Sequence, residues 1–334
     1  MDVLSDVVAV TRTGRPRSAH VRWHAPWGQE FASVPGSAGF QVILRGACWL
    51  LAGDAEPVRL GTGDVVFLPH GRGHTLADSP GTPVSSPACG PDELPRSDTR
   101  VTDAHVRDTH VSGTHVSDSV DRAGHGGPVT VVLCGAYQLD PSRTHPLLLS
   151  LPDLIHLPAR AGRHPELSSA VSLLAAELEN PRLGTDAAVP ALLDALLLYV
   201  LRIWFDEQSS QVDPIGWAAA LNDPPVTAAL HAIHRDPAQP WTVAKLAAES
   251  GLSRAPFARR FNLLIGQPPV GYLTWWRMTV AARLLRTSDA PLRSVAAQVG
   301  YTSEFAFAHA FKRTHGAAPG TYRRTTKPRP ASPY

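Results

Sequence analysis

Cysteine and lysine are scarce in this sequence. Only three cysteines occur among 334 residues, and their irregular spacing fits neither a disulfide framework nor a zinc pattern. All three lysines lie after position 240, so the first 240 residues rely on arginine for positive charge. No basic start followed by an apolar run occurs near the N-terminus, and we expect no signal peptide. These absences predict a reduced, cytoplasmic protein.

Long apolar runs are also missing. The most apolar segment, Ala191 to Phe205, is interrupted by Asp194 and Arg202. We expect it to be too short to span a bilayer, which needs about 20 apolar residues. No membrane partner is predicted.

Charge is divided unevenly along the chain. Residues 241–334 hold 3 Lys and 11 Arg against 3 acidic residues, a net of +11, whereas residues 1–240 hold 17 Arg against 26 acidic residues, a net of −9. The overall net charge of +2 hides this division. A basic end on an acidic body is typical of a nucleic-acid-binding domain. The alternative is an ordinary solvated helical bundle that is rich in arginine.

One pattern occurs twice between Trp241 and Arg324. Each copy predicts a short helix, a turn that contains glycine and a second helix, which together form a helix-turn-helix unit. The positions that recur 49 or 50 residues later are Leu246, Ala247, Gly251, Phe257, Phe261, Gly266, Pro269 and Tyr272, matched by Val295, Ala296, Gly300, Phe307, Phe311, Gly316, Pro319 and Tyr322. We therefore predict two helix-turn-helix units.

The second helix of each copy has a buried and an outward face. Phenylalanines four residues apart predict the buried face, and Ser253 is a suitable N-cap for a helix with Pro256 in its first turn. The outward side chains suit the major groove of DNA. We predict DNA contacts from Ser253, Arg254, Ala255, Ala258 and Arg259, and from Ser303, Glu304, Phe305, Ala308, His309 and Lys312.

A long helix is predicted between the copies, over Val270 to Thr287. At about 1.5 Å per residue it measures about 27 Å. That length suits two recognition helices about one DNA turn apart, roughly 34 Å.

The repeat, the joining helix and the closing Pro319, Tyr322 and Arg323 resemble the AraC/XylS family of bacterial transcription regulators over about 85 residues. The resemblance implies a monomeric DNA-reading unit whose base contacts come from the two second helices. Carried over by position, these contacts fall on Ala255, Ala258 and Arg259, and on Glu304, Phe305 and His309. It also implies promoter DNA, RNA polymerase, a small-molecule effector and a second copy of the chain as partners.

Some positions depart from the family's pattern. Two alanines stand where larger side chains often make contacts, and His309 stands where arginine is usual. We therefore predict that Arg259 is the main base reader, of guanine, and that Phe305 contacts a thymine methyl group.

Short strands with glycine and proline turns dominate the N-terminal region. Phe40 to Leu51 predicts two strands hinged at Gly46, and Val58 to Leu60, Val65 to Leu68 and Val129 to Cys134 predict further strands of a small antiparallel barrel or sandwich. The segment GDVVFLPHGRGH, from Gly63 to His74, resembles the second cupin motif. APWG at 25–28, CGAY at 134–137 and HPLL at 145–148 resemble the cupin-type sensory domain of one AraC subfamily.

Metal-binding cupins need a first motif with two histidines and a glutamate. This motif is absent: Gln41 stands where a histidine is common, and His74 alone does not hold a metal. We predict no metal and no cofactor, and a barrel that is empty or binds a small molecule near Gln41 and His74. Cys134 is a further sensor candidate, as a thiol that reacts with Cys89 or as an inert core residue.

The fold class predicted is α+β, with a cupin-like β-barrel, a helical linker or dimerisation region and an all-α C-terminal domain. We expect a sensory domain over 1–160 with a flexible insertion at 80–128 that carries His105, His110 and His115, a helical region over 161–210 and a DNA-binding domain over 215–326. Helices are predicted over Pro165–Glu179 and Pro190–Gln208, the second being a dimer seam or simple core packing.

Together these features predict a DNA-binding transcription regulator that responds to a signal. The alternative is a metal-dependent cupin enzyme that carries a DNA-binding tail, although no nucleophile or carboxylate pair predicts catalysis. An oxidant sensor based on Cys134 and Cys89 is a variant of the first hypothesis.

Overall fold

A computed structural model describes residues 2–11, 16–53, 55–84, 118–122, 127–139, 145–159, 163–209 and 216–326. Three of the histidines considered above, His105, His110 and His115, lie outside the described residues, as does Cys89. The described residues form two compact units. The first unit comprises residues 1–11, 142–150 and 205–334, and the second comprises residues 12–141 and 151–204.

The described residues of the second unit form ten strands in two sheets. Six strands form one sheet in the order β10-β6-β3-β9-β1-β8, and four form the other in the order β2-β7-β4-β5. The strands are β1 (Arg17–His24), β2 (Gly28–Phe31), β3 (Ser37–Arg45), β4 (Ala47–Leu51), β5 (Val58–Gly61), β6 (Val65–Leu68), β7 (His74–Ala77), β8 (Asp118–Arg122), β9 (Val129–Gln138) and β10 (Ile155–Leu157). The predicted antiparallel β-fold and the α+β class are confirmed.

Both sheets contribute to one apolar core. From the six-stranded sheet come Val21, Ile43 and Val132, and from the four-stranded sheet come Leu50 and Leu76, all of them buried. Strands β3 and β9 pair over nearly their whole length, with Ile43 opposite Val132. Alternate residues of a strand point to the same face, so β3 sends Gln41 and Ile43 to one side and Phe40 and Val42 to the other.

The segment that resembles a cupin motif forms β6, a tight turn and the start of β7. Gly71 has φ +61° at this turn, and a Cβ there would lie 2.1 Å from the carbonyl oxygen of Val34. A side chain is therefore excluded at Gly71. The turn carries the chain from Leu68 into β7, where His74 is buried.

Part of the predicted insertion is a strand. Within 80–128, β8 pairs in parallel with β1, with Ala19 opposite Asp118 and Trp23 opposite Arg122. A flexible loop over the whole of 80–128 is therefore wrong for Asp118–Arg122. The segment has no apolar alternation, and its pairing is decided by the free edge of β1 rather than by side-chain pattern.

Two long helices follow in the second unit. Helix α3 (Pro165–Glu179) has the predicted bounds, whereas α4 (Thr185–Ser209) begins five residues before the predicted Pro190. Pro190 lies inside the helix as its sixth residue, so it supplies no N–H to the carbonyl oxygen of Asp186. Helix α4 is long and apolar enough to cross a membrane by length and composition, against our expectation, and 44% of its most apolar window is buried.

The first unit is helical. Its elements are α1 (Val3–Thr11), α2 (Pro146–Leu149), α5 (Trp217–Leu221), α6 (Pro224–Arg235), α7 (Val243–Glu249), α8 (Arg254–Ile265), α9 (Pro269–Thr287), α10 (Leu292–Gln298), α11 (Glu304–His315) and α12 (Pro319–Thr326). Both α1 and α2 come from the predicted sensory domain, yet they belong to this unit. The predicted domain limits of 1–160, 161–210 and 215–326 stay a prediction. The two compact units have different limits.

Candidate nucleic-acid interface and sensor site

The first helix-turn-helix copy consists of α7, a turn at Gly251 and α8. Phe257 and Phe261 are buried on one face of α8, with ring centroids 5.7 Å apart. Arg254, Ala255 and Arg259 are exposed on the other side, and Ala258 is half-buried. The predicted division of α8 into a buried and an outward face is present.

The second copy consists of α10, a turn at Gly300 and α11. Phe307 and Phe311 are buried, with ring centroids again 5.7 Å apart. The outward face differs from that of α8, because Phe305 is 83% exposed. The other predicted contact residues of this copy are exposed Ser303, Glu304, His309 and Lys312, and half-buried Ala308.

The two helix starts are capped differently. Ser303 accepts a hydrogen bond from the backbone N–H of Ala306, at 3.3 Å. Ser253 occupies the N-cap position of α8, but its side chain makes no capping hydrogen bond. The reason is Pro256, which stands at the third helical position and has no N–H to donate. Ser253 is exposed at the end of the helix and keeps its hydroxyl group for another partner.

Helix α9 joins the copies. Its 19 residues give a length of about 28 Å, close to the predicted value. Both α8 and α11 pack against it, so α9 determines how far apart the two outward faces lie.

Several arginines of the basic region serve the fold. Arg260 forms an ion pair with Asp223, which caps α6 through the N–H of Val226. Arg277 donates to the carbonyl oxygens of Pro237 and Gln239, at 2.7 and 2.8 Å. The positive charge of the region is therefore only partly available to a polyanion. Sequence reasoning missed these roles, and the only sequence signal is the position of Asp223 before two prolines.

Arg323, part of the closing motif, is another structural cation. Its guanidinium donates to the carbonyl oxygen of Ala290. This contact attaches α12 to the loop that precedes α10.

The second unit brings the three sensor candidates together. Gln41 Nε2 lies 2.9 Å from His74 Nε2, and the ring of Phe31 stacks on His74 with centroids 4.7 Å apart. Cys134 lies directly opposite Gln41 in the pairing of β9 with β3. All of them are buried, and Cys134 belongs to the apolar core.

The hydrogen-bond roles at this site follow from its burial. Burial lowers the pKa of His74 to about 4, so its ring is neutral at pH 7. Its Nδ1 faces the carbonyl oxygen of Arg72 at 3.5 Å, which places the proton on Nδ1 and leaves Nε2 to accept from the Gln41 amide. Gln41 Oε1 is buried and accepts no hydrogen bond within the part of the chain that the structure describes.

The described cysteines are set in apolar surroundings. Burial raises the pKa of the Cys48 thiol to about 12, with Asp64 contributing, so this thiol is not a nucleophile at neutral pH. Cys134 is a buried thiol. Its predicted partner Cys89 lies outside the described residues, and the oxidant-sensor hypothesis stays a prediction.

Among the described residues, no group of three or more His, Cys, Asp or Glu side chains is placed to hold a metal ion. His156 Nε2 lies 3.1 Å from a carboxylate oxygen of Asp64, and these two residues do not form a metal site by themselves. Asp64 instead accepts hydrogen bonds from the N–H groups of Gly61 and Ala159, and so organises the turn before β6.

Comparisons with known proteins match the N-terminal and C-terminal parts of the chain to different families. A family model described as Cupin matches residues 2–206, and one described as Helix-turn-helix domain matches residues 246–325. The chain is 34% identical over 329 residues to a "Putative AraC-like transcription regulator" of Streptomyces antibioticus, which covers 98% of this chain and 100% of that protein.

Another regulator and a solved structure are also similar to this chain. The chain is 29% identical over 325 residues to the "HTH-type transcriptional regulator AlkR" of Acinetobacter baylyi, covering 97% of this chain and 99% of that one. Among solved structures, the DNA-binding domain of AdpA, "the global transcriptional factor, in complex with a target DNA", is 36% identical, with a TM-score of 0.29 and coverage of 31% of this chain and 92% of that one.

Proposed function

The chain belongs to the AraC-like transcription regulators, and from that premise we propose that α8 and α11 read the bases of promoter DNA and that the β-sheet core senses a small molecule. The observation that supports base reading is the outward face of each of these two helices. On both, a buried Phe pair leaves the side chains after the N-cap exposed. Such a helix presents its first turns to base edges in the major groove.

Arg259 carries the base reading of the first copy. It is exposed on α8, while its neighbour Arg260 is held by Asp223. A guanidinium donates two hydrogen bonds to guanine O6 and N7, worth about 1–3 kcal/mol of discrimination. Ala255 and Ala258 present small apolar surfaces beside it, and in this proposal Ser253 and Arg254 contact phosphates.

The second copy reads by a different chemistry. Phe305 is exposed at the start of α11, beside Glu304, and an aromatic ring there suits a thymine methyl group. Glu304 accepts from a cytosine amino group, and His309 and Lys312 contact the following bases or phosphates. The two half-sites should therefore differ in sequence.

The test uses duplex DNA selected from a random-sequence pool by the full-length protein. We expect Arg259→Ala to weaken binding to the selected duplex by about 1–3 kcal/mol and to remove the preference at one base pair. The matched control is Arg293→Ala, an exposed arginine on α10 outside the proposed base contacts. This control should leave the base preference unchanged. Equal weakening on all sequences would make Arg259 a phosphate contact instead.

Phe305 has its own expected outcome. Phe305→Ala should cost about 1 kcal/mol on the selected duplex, the worth of about one buried methyl group. Replacement of the contacted thymine by uracil removes that methyl group. Wild type should lose a similar amount on the uracil duplex, and Phe305→Ala should lose nothing further. An additional loss in the variant would place Phe305 elsewhere.

The proposed sensor site is the core around Gln41 and His74. Gln41 offers an acceptor oxygen, and no ionised group is part of the pair, so an uncharged and largely apolar effector with a hydrogen-bond donor fits it best. Gln41→Leu removes that acceptor and should abolish the response of promoter binding to such an effector while leaving basal DNA affinity unchanged.

The remaining partners follow from this role. RNA polymerase is the target of a promoter-bound regulator, and the site of action is the cytoplasm. A homodimer suits paired operator sites, with the partly exposed residues of α4 as the proposed seam. The relatives reported above are named as regulators, and the alternative of a metal-dependent enzyme would need metal and turnover in the purified protein, both lost in His74→Ala.

A further inference from the structure

A buried polar cluster joins α9 to two segments from the first half of the sequence. The Tyr272 hydroxyl oxygen lies 3.0 Å from His145 Nε2 and 2.7 Å from His234 Nε2. His234 Nδ1 lies 3.3 Å from a carboxylate oxygen of Asp6. All four residues are buried. Because α1 carries Asp6 and His145 precedes α2, the cluster holds both segments in the helical unit.

Aromatic rings enclose this cluster. His145 meets the edges of Trp217 and Trp275, each with ring centroids 4.9 Å away. His234 stacks on Trp276, with centroids 3.8 Å apart. Because all four residues are buried, water does not easily replace the hydrogen bonds of the cluster.

The hydrogen bonds can run in only one direction. The backbone N–H of Leu147 donates to His145 Nδ1 at 2.9 Å, so that nitrogen carries no proton. His145 Nε2–H must then donate to the Tyr272 oxygen, and the Tyr272 hydroxyl donates to His234 Nε2. His234 Nδ1–H finally donates to Asp6. One backbone contact thus fixes the tautomer of both rings.

The ionisation of the cluster agrees with this order. Burial lowers the pKa of His145, and His234 lowers it further. Burial lowers the pKa of His234 as well, opposed by Asp6 and Asp2 on the N-terminal segment and reinforced by His231. Burial also raises the pKa of Tyr272 well above its ordinary value. Two neutral histidines and a neutral tyrosine are the species that the one-way chain requires.

The position of the cluster connects it with DNA recognition. Tyr272 lies in the first turn of α9, which packs against α8 and α11. His145 lies between β9 and β10 in the sequence, and α1 precedes β1. These three strands belong to the sheet that carries Gln41. The segments that lead into the sensing sheet therefore also hold the start of the joining helix.

We propose that His145 is a positioning residue for DNA recognition, which acts through Tyr272 to fix the start of α9 and thereby the spacing of α8 and α11. This inference rests on the proposed reading of bases by both helices. It makes the segment 145–149 and α1 working parts of the DNA-binding unit, although the matched helix-turn-helix region begins at residue 246.

Three substitutions remove different hydrogen bonds of the cluster. His145→Asn places an amide oxygen near the position of Nδ1, so it keeps the contact with Leu147 and loses that with Tyr272. His145→Gln places an amide N–H near the position of Nε2, so it keeps the contact with Tyr272. Tyr272→Phe removes the central hydroxyl. Tyr322→Phe, at the equivalent place in the second copy, is the matched control.

The measurement is a ratio of two dissociation constants for the full-length protein. One duplex is that selected by wild type from the random pool, and the other has one base pair inserted between the two half-sites. A variant that merely unfolds part of the sample changes both constants equally and leaves the ratio unchanged. Wild type, His145→Gln and Tyr322→Phe should prefer the selected duplex by about tenfold or more, comparable to the loss of one base contact. Tyr272→Phe and His145→Asn should reduce that preference to about threefold or less.

The outcomes separate this inference from the proposed function. Wild-type preference with unchanged ratios in Tyr272→Phe and His145→Asn would reduce the cluster to a core contact and overturn the inference alone. Should wild type itself ignore the inserted base pair, reading by two spaced helices would be wrong, and the inference would fail with it. If Tyr272→Phe does not fold, the pair His145→Asn and His145→Gln gives the same decision.

Discussion

The two helix-turn-helix copies share a core and differ on their outward faces. In each, a Phe pair four residues apart packs with ring centroids 5.7 Å apart and planes tilted by 54° and 51°. The outward face carries Arg254 and Arg259 in the first copy, whereas the second carries Glu304 and Phe305. The buried positions of the repeat are therefore alike, whereas the exposed positions differ, and we propose that these exposed positions distinguish two DNA half-sites.

The copies also differ around the tyrosine that follows them. Tyr272 lies between two buried histidines within hydrogen-bond distance. The ring of Tyr322 packs against Phe311 and His315, with centroids 5.2 and 5.6 Å away. Tyr272 and Tyr322 occupy the same place in the repeat. Tyr272 contacts histidines that lie outside its own copy, whereas Tyr322 packs against residues of its own copy.

The largest effect should come from the shared core. Phe257→Ala and Phe307→Ala each remove a fully buried ring, which typically costs about 3–5 kcal/mol of unfolding free energy. Hydrogen exchange of the α8 and α11 amides would report the loss copy by copy. If the copies are supported separately, each variant loosens its own second helix most. Equal loosening of both helices would show that α9 couples them into one cooperative unit.

The second largest effect should be a loss of stability at acidic pH, which should be greater around the first copy than around the second. The pKa of both His145 and His234 lies below 6.5 in the folded protein, so the unfolded chain binds protons that the folded chain does not. The stability contributed by the two neutral histidines is therefore present above about pH 6.5 and falls as the pH drops below it. Amides of α6 and the start of α9 should lose protection before those of α11.

The control for this acid effect is His145→Gln, which does not titrate. It should show a smaller pH dependence than wild type between pH 6.5 and 5.5, measured by the same amide exchange. An identical pH dependence in wild type and variant would mean that His145 is not neutral in the folded protein.

The smallest effect concerns the helix caps. Ser303→Ala should cost about 1 kcal/mol, because it removes the acceptor of the Ala306 N–H. Ser253→Ala should cost much less, because that side chain makes no capping bond in front of Pro256. Urea denaturation of the two variants gives the comparison. A similar cost at both positions would show that Ser253 has a structural role of its own.

Much of the C-terminal region was predictable because its signals are local. The Phe spacing, the N-cap residues and the interval between the copies predicted α8, α9 and α11 to within a few residues. Strands β3 to β6 and β9 were predictable for the same reason, with hinge and turn glycines marking several of their ends, whereas β1, β2, β7 and β10 were not predicted. The strand β8 was not, since its pairing depends on a neighbour about 100 positions earlier.

The candidate sites were predictable as residues but not as arrangements. Gln41, His74 and Cys134 were separate candidates, and the structure brings them together because β3 pairs with β9 and β7 starts after the turn at Gly71. The sequence marked His145 only as the first residue of HPLL, a segment that resembles the sensory domain of one AraC subfamily. Its contacts with Tyr272 and the tryptophans join residues more than 70 positions apart, a distance over which no sequence period extends.

The sequence by itself determined that this protein has two helix-turn-helix copies on a basic region and a β-rich region before them, since helical period, turn residues and charge are properties of neighbouring residues. Only the tertiary structure decided which arginines stay exposed, that α1 and α2 join the helical unit, and that two histidines share one tyrosine. Those outcomes depend on burial, and burial is set by residues far apart in the chain that pack against one another.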